Sequence, residues 1–194
     1  MRKLSRRVVV AMSGGVDSSV AAALLLEQGY EVIGITMQIW PQEDKTGACC
    51  SLSAVEDARR VARQLQIPYY VSNFQDLFAQ EVIADFCSEY QRGRTPNPCI
   101  RCNEKIKFRA LLKRALELDA EFLATGHYVR IKQKGDRFLL YRARDEHKDQ
   151  SYVLAGLRQE QLRHLLFPLG ELTKDETRAL AEKYQLPVAH KAES

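Results

Sequence analysis

The chain is predicted to be an α/β protein built on a doubly wound parallel sheet, and three features of the sequence point there. Arg7 to Met12 and Val32 to Met37 are short, β-branched, near-continuous apolar runs, the pattern of strands buried on both faces. Helical patterns separate such runs, so strands and helices alternate as parallel crossovers require. A glycine-containing loop follows the first run directly, at the carboxyl end of a strand, where open α/β sheets hold their ligands.

The elements follow in order. After the strand Arg7 to Met12, the loop Ser13 to Ser18 leads into a helix from Ser19 to Gln28, closed by Gly29. Val32 to Met37 is the second strand, Ser53-Ala-Val-Glu56 reads as a capping box opening a helix to about Gln66, and Ile67 to Val71 is the third strand. A helix from Gln75 to Tyr90 precedes a proline-containing basic segment, a second covers Asn103 to Leu118, and Glu121 to Thr125 supplies another strand. Val129 to Gln133 and Arg137 to Arg142 flank Lys134-Gly135-Asp136 as an appended hairpin. Beyond Tyr152 the pattern turns helical, from Leu154 to Leu166 and again after the capping box Thr173-Lys-Asp-Glu176 to about Tyr184.

With 194 residues, 45% of them hydrophobic, and only 10 Gly and 6 Pro, the chain can bury a sizeable core; disorder and low-complexity polymers are excluded. The longest strongly apolar run, Val20 to Leu26, is far short of the roughly 20 residues that span a bilayer, so no membrane partner is expected. Arg2, Lys3, Arg6 and Arg7 ahead of Val8 to Met12 mimic a signal peptide, but that apolar stretch runs straight into Ser-Gly-Gly; a cytoplasmic protein is expected. The five cysteines, Cys49, Cys50, Cys87, Cys99 and Cys102, are an odd number in a chain too large to depend on disulfides, so reduced thiols with chemical roles are expected. The net charge of +4 conceals a segment, Gln91 to Arg114, with eight basic residues against Glu104 alone, an excess of +7 that suits either a docked polyanion or a solvated helix face.

The most informative loop is Ser13-Gly14-Gly15-Val16-Asp17-Ser18-Ser19. Two glycines let the backbone turn sharply and present N–H groups to an anion, with the positive end of a helix dipole behind them. The spacing is neither that of the kinase-type phosphate loop nor Gly-x-Gly-x-x-Gly. Placed after a first buried strand, the motif resembles the pyrophosphate-loop signature of ATP pyrophosphatases, which split ATP between its α and β phosphates. That resemblance implies that Ala11, Met12, Ser13, Gly14, Gly15, Val16, Asp17 and Ser18 hold phosphates and ribose, that Met37 and Gly126 touch the nucleotide, and that Asp17 takes the accompanying Mg²⁺. For Met37 alone, ordinary core packing is the better reading.

In Arg94-Thr-Pro-Asn-Pro-Cys99-Ile-Arg-Cys102-Asn-Glu-Lys-Ile-Lys-Phe108, Pro96 and Pro98 stiffen the approach to a helix starting near Asn103. Cys102 then stands at a helix N-terminus among Arg and Lys, which favour a thiolate. Cys87, inside an amphipathic helix, reads as structural. Together with Ile106-Lys-Phe108, Ala124-Thr-Gly-His-Tyr128 and Lys148-Asp-Gln-Ser-Tyr152, these motifs resemble the tRNA-specific 2-thiouridylase family over essentially the whole chain.

The resemblance implies a Rossmann-like adenine nucleotide alpha-hydrolase fold. It implies an enzyme that adenylates O2 of the tRNA wobble uridine with ATP and then lets sulfur displace AMP. By it, Cys102 is the active-site cysteine, Asn97, Pro98 and Cys99 meet the target base, and His127, Lys148, Asp149 and Gln150 contact tRNA, although a lone His is more often a satisfied core residue. Many members carry Asp where this chain has Cys99, so Cys99 and Cys102 are also a candidate pair for a [4Fe-4S] cluster. Residues 1–152 are expected to form the catalytic domain and 153–194 the beginning of a connecting domain. Family members continue beyond that segment into a second catalytic cysteine, which receives persulfide sulfur from a donor protein and forms a disulfide, and into a β-barrel. Two alternatives stand beside this reading. One is another adenylating enzyme of the fold, a tRNA 2-thiocytidine enzyme or a small-molecule ligase. The other is a non-catalytic RNA-binding zinc module using Cys49, Cys50, Cys99 and Cys102, whose adjacent pair lacks the usual spacing.

Overall fold

The computed structural model describes residues 6–40 and 52–192. Five strands, β1 (Arg7–Ala11), β2 (Glu31–Gln38), β3 (Tyr69–Asn73), β4 (Phe122–Ala124) and β7 (Leu165–Leu166), form one all-parallel sheet in the order β3-β2-β1-β4-β7. The hairpin β5 (Val129–Lys134) and β6 (Arg137–Arg142) stands apart from it, closed by Gly135 and Asp136.

Strand β1 has neighbours on both edges, and its alternating side chains feed two cores. Val8 and Val10 enter a cluster with Val20, Leu25 and Ala58. Val9 enters the other with Ile35, Phe108 and Leu111. All three valines are completely buried, which is why the run carries no polar alternation. The first face is covered by α1 (Val16–Glu27), α2 (Leu52–Gln64) and α8 (Lys174–Lys183). The second is covered by two helical stretches. Residues 75–91 comprise α3 (Gln75–Phe78), a π-helical turn Ala79–Ile83 and α4 (Ala84–Gln91). Residues 98–117 comprise α5 (Pro98–Arg101), a π-helical stretch Cys102–Leu111 and α6 (Leu112–Glu117).

Several boundaries differ from the sequence reading. Helix α2 already includes Leu52, so Ser53 lies inside its first turn and is not its cap. Strand β3 begins two residues late because Pro68 has no N–H; its carbonyl accepts from Gly34 N at 2.8 Å and the ladder starts at Tyr69. The helix expected from Asn103 starts five residues earlier. Asn97 accepts a hydrogen bond from Cys99 N at 2.9 Å and Pro98 occupies the first helical position, a cap-and-proline start.

The expected helix Leu154 to Leu166 is replaced by a 3₁₀ turn (Ser151–Leu154), a single helical turn α7 (Gln159–Leu162) and β7. Pairing of Leu165 and Leu166 with Leu123 and Ala124 overrides their helical propensity. Thr173 caps α8 as expected, with Glu176 reaching back to the Thr173 N–H at 2.7 Å. Residues 153–192, expected to open a separate domain, add a strand to this sheet, and Leu186, Val188 and Ala189 share the cluster of Val8 and Val10. Among the described residues no helix is long and apolar enough to cross a membrane.

Phe108 ties the second core together, completely buried with its ring 5.8 Å from that of His127 and 6.1 Å from that of Phe167. Phe108→Ala is expected to cost about 3–5 kcal/mol in urea unfolding, the usual result of emptying such a site; a loss under about 1 kcal/mol would show that this core collapses around the void.

Candidate nucleotide cleft beside a cysteine-bearing helix

The loop between β1 and α1 is shorter than expected. Helix α1 starts at Val16, which puts Asp17, Ser18 and Ser19 in its first turn. Ser18 Oγ accepts from Ser13 N at 3.1 Å and lies 3.2 Å from Ser13 Oγ, while Ser19 Oγ donates to Gly15 O at 2.7 Å, so the loop is tied to the helix it precedes. Only one of its glycines is conformationally required. Gly14 has φ +72°, and a Cβ there would stand 2.1 Å from the carbonyl oxygen of Ala54 on α2. Gly15 has φ −96°, and an added Cβ would meet only Ser13 Oγ at 3.4 Å. Gly126, beyond β4, approaches the same turn so closely that a Cβ would lie 2.7 Å from Ser18 N.

This loop opens into a cleft of about 190 Å³. Ser13, Gly15, Val16 and Asp17 line one side. Tyr128, Lys148 and Gln150 line another, and Lys174, Arg178, Lys191 and Ala192 close it. Among the described residues lining the cleft, four cations accompany one carboxylate, that of Asp17. Lys174 Nζ donates to both Asp17 oxygens, at 2.7 and 2.9 Å, and the Tyr128 hydroxyl donates to Oδ1 at 2.9 Å. Burial, reinforced by the Asp17 charge and opposed by a hydrogen bond with Thr177, pushes the Tyr128 phenol well up, so it remains a donor.

Lys191 Nζ donates to Gly14 O at 3.0 Å and also binds Asp57. Burial raises the Asp57 carboxyl, but the hydrogen bonds from Lys191 and Arg60 outweigh it and hold the group below its ordinary range. The 148–150 turn is pinned to Tyr128: Gln150 Oε1 accepts from Tyr128 N at 3.1 Å and Gln150 N donates to Tyr128 O at 3.0 Å. Asp149 uses both oxygens internally, accepting from Ala143 N at 2.8 Å and Ser151 Oγ at 2.7 Å.

The other residues singled out in the sequence lie elsewhere. Ala11 ends β1, and Met12 is buried beside it, its carbonyl accepting from Thr36 Oγ1 at 2.8 Å. Met37 lies in the second core. His127, expected to meet tRNA, is buried: its Nδ1 is 2.6 Å from Thr125 Oγ1, and burial, with the Lys107 charge second, holds its pKa well below the ordinary value. Its ring packs between those of Phe108 and Phe167. Neither cysteine lines the cleft. Cys99 is exposed in the first turn of α5. Cys102 is half-buried against the second core, one turn further in than a helix N-terminus, and the expected end-of-helix effect does not apply to it. Cys99 and Cys102 form no disulfide with each other. Beside Cys102, Asn103 is buried, and its Oδ1 has no hydrogen-bond partner among the described residues, an acceptor that a ligand N–H would satisfy.

The basic segment is less positive than its own residues imply. Arg101 binds Asp85 at 3.0 Å and Glu104 at 3.2 Å, Arg92 and Arg94 share Glu89, and Lys105 stands 3.9 Å from Glu81. The helix over 75–91 supplies Glu81, Asp85 and Glu89, which a count along the segment misses. Lys107, Arg109 and Lys113 have no ion pair among the described residues.

Cys99 and Cys102 do not fit a [4Fe-4S] cluster on their own. Such a cluster takes four cysteine ligands as a rule, and among the described residues no group of three or more His, Cys, Asp or Glu could hold a metal. Cys49 and Cys50 lie outside the described residues. Asp17 does fit Mg²⁺, as a hard oxygen donor opening on the cleft.

The sequence reading missed Tyr128, Lys174, Arg178 and Lys191. Lys174 and Arg178, four apart in a helix predicted from its capping box, share one helix face; that spacing was the available signal.

A family model described as the tRNA methyl transferase HUP domain matches residues 6–194. A protein named tRNA-specific 2-thiouridylase MnmA from Carboxydothermus hydrogenoformans is 60% identical over 196 residues, spanning 97% of this chain and 54% of the relative. The protein of the same name from Geobacter metallireducens is 57% identical over 200 residues, spanning 99% and 54%. The chain thus spans about half the length of the curated relatives it matches. Among solved structures, a 4-thiouridine synthetase–RNA complex with bound ATP aligns with a TM-score of 0.66 at 21% identity, covering 96% of this chain and 43% of that one. The U34-tRNA thiolase NcsA from Methanococcus maripaludis with its [4Fe-4S] cluster aligns at 0.61 and 22%, covering 99% and 61%. At these identities the structures share the fold.

Proposed function

The chain belongs to the tRNA methyl transferase HUP-domain family, and from that premise we propose that it is the ATP-binding part of a tRNA-specific 2-thiouridylase acting in the cytoplasm. The observation that carries this reading is the strand–Ser-Gly-Gly–helix loop opening into a cleft with four cations, combined with relatives of that name at 57–60% identity.

A nucleotide polyphosphate fits the cleft because backbone N–H groups, a helix N-terminus and Lys148, Lys174, Arg178 and Lys191 converge there. Asp17 would hold Mg²⁺, which screens phosphate charge when bound. Uridine O2 attacks the α-phosphate and pyrophosphate leaves, and the cations around the cleft stabilise the departing charge. The terminal sulfur of a persulfide, passed from a donor protein to the second cysteine that family members carry, then attacks C2 and AMP departs; the Cys102 thiolate attacks that second cysteine's sulfur, breaking the S–S bond to form a disulfide and leaving the thiocarbonyl on C2.

The thiol-bearing helix packs on the 3₁₀ turn that follows Lys148–Gln150, so the base would lie between cleft and thiols. Asn97, Pro98 and Cys99 stand at its exposed start, and Cys102 is the residue assigned to sulfur chemistry. Two cysteines in a Cys-x-x-Cys helical turn favour thiolation over a small-molecule ligase, which needs no such thiol. In this reading the phosphate loop and the base contacts lie within 1–152, the catalytic domain, while Lys174, Arg178, Lys191 and Ala192 of the segment that follows complete the cleft.

Calorimetry with MgATP tests the cleft. Lys148→Gln and Arg178→Gln are each expected to weaken binding about tenfold, the worth of one charge-assisted hydrogen bond. Unchanged affinity in both variants would place the nucleotide elsewhere.

A further inference from the structure

The cleft contains an ion pair that the proposed metal site must break. Asp17 Oδ1 accepts from Lys174 Nζ at 2.7 Å and from the Tyr128 hydroxyl at 2.9 Å, and Oδ2 accepts from the same ammonium at 2.9 Å. A carboxylate offers about four lone-pair positions, so three are already committed. The Lys174 side chain is only 12% exposed and its ammonium lies 5.8 Å from the Tyr128 ring centroid, a position largely shielded from water. A divalent cation bound directly to Asp17 would stand at about 2.1 Å from an oxygen, within repulsive reach of that ammonium.

We propose that Lys174 and a divalent cation compete for the Asp17 carboxylate, and that a polyphosphate resolves the competition by drawing the ammonium to itself. The backbone under Lys174 is fixed, because its N–H donates to Asp145 Oδ2 at 2.9 Å and Thr173 caps the helix it begins, so the exchange is a swing of the side chain alone. Lys148, Arg178 and Lys191 line the space it would swing toward, and their charges make a polyanion the only partner that can gather all four cations. Metal and nucleotide therefore enter as a coupled pair: each makes room for the other. The inference rests on reading the cleft as a nucleotide site, but the competition itself does not.

Mn²⁺ is the probe, with its free concentration followed by electron paramagnetic resonance in the absence of nucleotide. Lys174→Gln is expected to bind Mn²⁺ at least about tenfold more tightly than the unaltered chain, because the ion pair no longer has to be broken. Lys174→Arg keeps a cation on Asp17 and is expected to bind as weakly as the unaltered chain, which also controls for folding. Asp17→Asn combined with Lys174→Gln should lose the gain. Mn²⁺ affinity in Lys174→Gln no higher than in the unaltered chain overturns the proposal, as does a gain that survives Asp17→Asn. Binding of a non-hydrolysable ATP analogue is measured separately. If the Mn²⁺ pattern holds while no analogue binds, the competition stands and the nucleotide reading falls.

Discussion

Gly14→Ala is expected to weaken ATP binding by at least about a hundredfold, roughly 3 kcal/mol, whereas Gly15→Ala stays within about threefold. The contrast follows from backbone geometry alone. At Gly14 the left-handed φ of +72° costs an L-residue about 1–2 kcal/mol, and the new methyl would lie 2.1 Å from Ala54 O, a backbone atom of a packed helix that cannot rotate aside. Relief requires either α2 to move off the sheet or the loop to flip its peptides, and the second removes the N–H groups that would meet phosphate. The Gly14 carbonyl would turn as well, and with it the contact to Lys191. At Gly15 neither objection applies, since φ is −96° and the nearest atom, at 3.4 Å, is a serine hydroxyl free to turn. Calorimetry on both variants, with thermal unfolding to confirm that each is folded, decides it; wild-type affinity in Gly14→Ala would mean that the loop does not hold the nucleotide.

The parts of this fold legible in the sequence are those whose signals are local. Strand β1 is a run buried on both faces, α1 ends at a glycine with φ +85°, the hairpin turns on a two-residue loop, and α8 begins with a capping box; each was placed within three residues. The illegible parts depend on partners distant in sequence. Leu165 and Leu166 are a strand only because β4 lies beside them. The start of the cysteine helix was locally written, in Asn97-Pro98, but the stronger helical pattern further on drew the boundary past it. The site divides the same way. The phosphate loop could be read from seven consecutive residues, while Lys174 meets Asp17 across 157 residues, a pairing that only the docking of α8 on α1 creates. The basic segment misled for the same reason, since Asp85 and Glu89, which neutralise part of it, sit on the preceding helix.

Cys102→Ala is expected to abolish 2-thiouridine formation, by at least about a thousandfold, while leaving ATP binding and tRNA-dependent pyrophosphate release intact, the non-additive loss typical of an essential nucleophile. The separation is expected because neither cysteine lines the cleft proposed for the nucleotide, so in this reading activation of the uridine and delivery of sulfur draw on different residues. Cys102, half-buried against the second core and one turn inside the helix, is held more firmly than Cys99, which is exposed in the first turn. A thiol that must meet an activated carbon within bonding reach benefits from that fixation. Cys99→Ala should accordingly cost less, through the contact of the helix start with the base, and Cys99→Asp should restore much of it if the position serves mainly as a polar neighbour. The assay uses tRNA, ATP and a persulfide donor, with the chain extended to the length of its relatives, and scores pyrophosphate and thionucleoside from the same reaction. Loss of both products in Cys102→Ala would place this thiol in base binding, and a thiolation defect confined to Cys99→Ala would exchange the roles of the two cysteines.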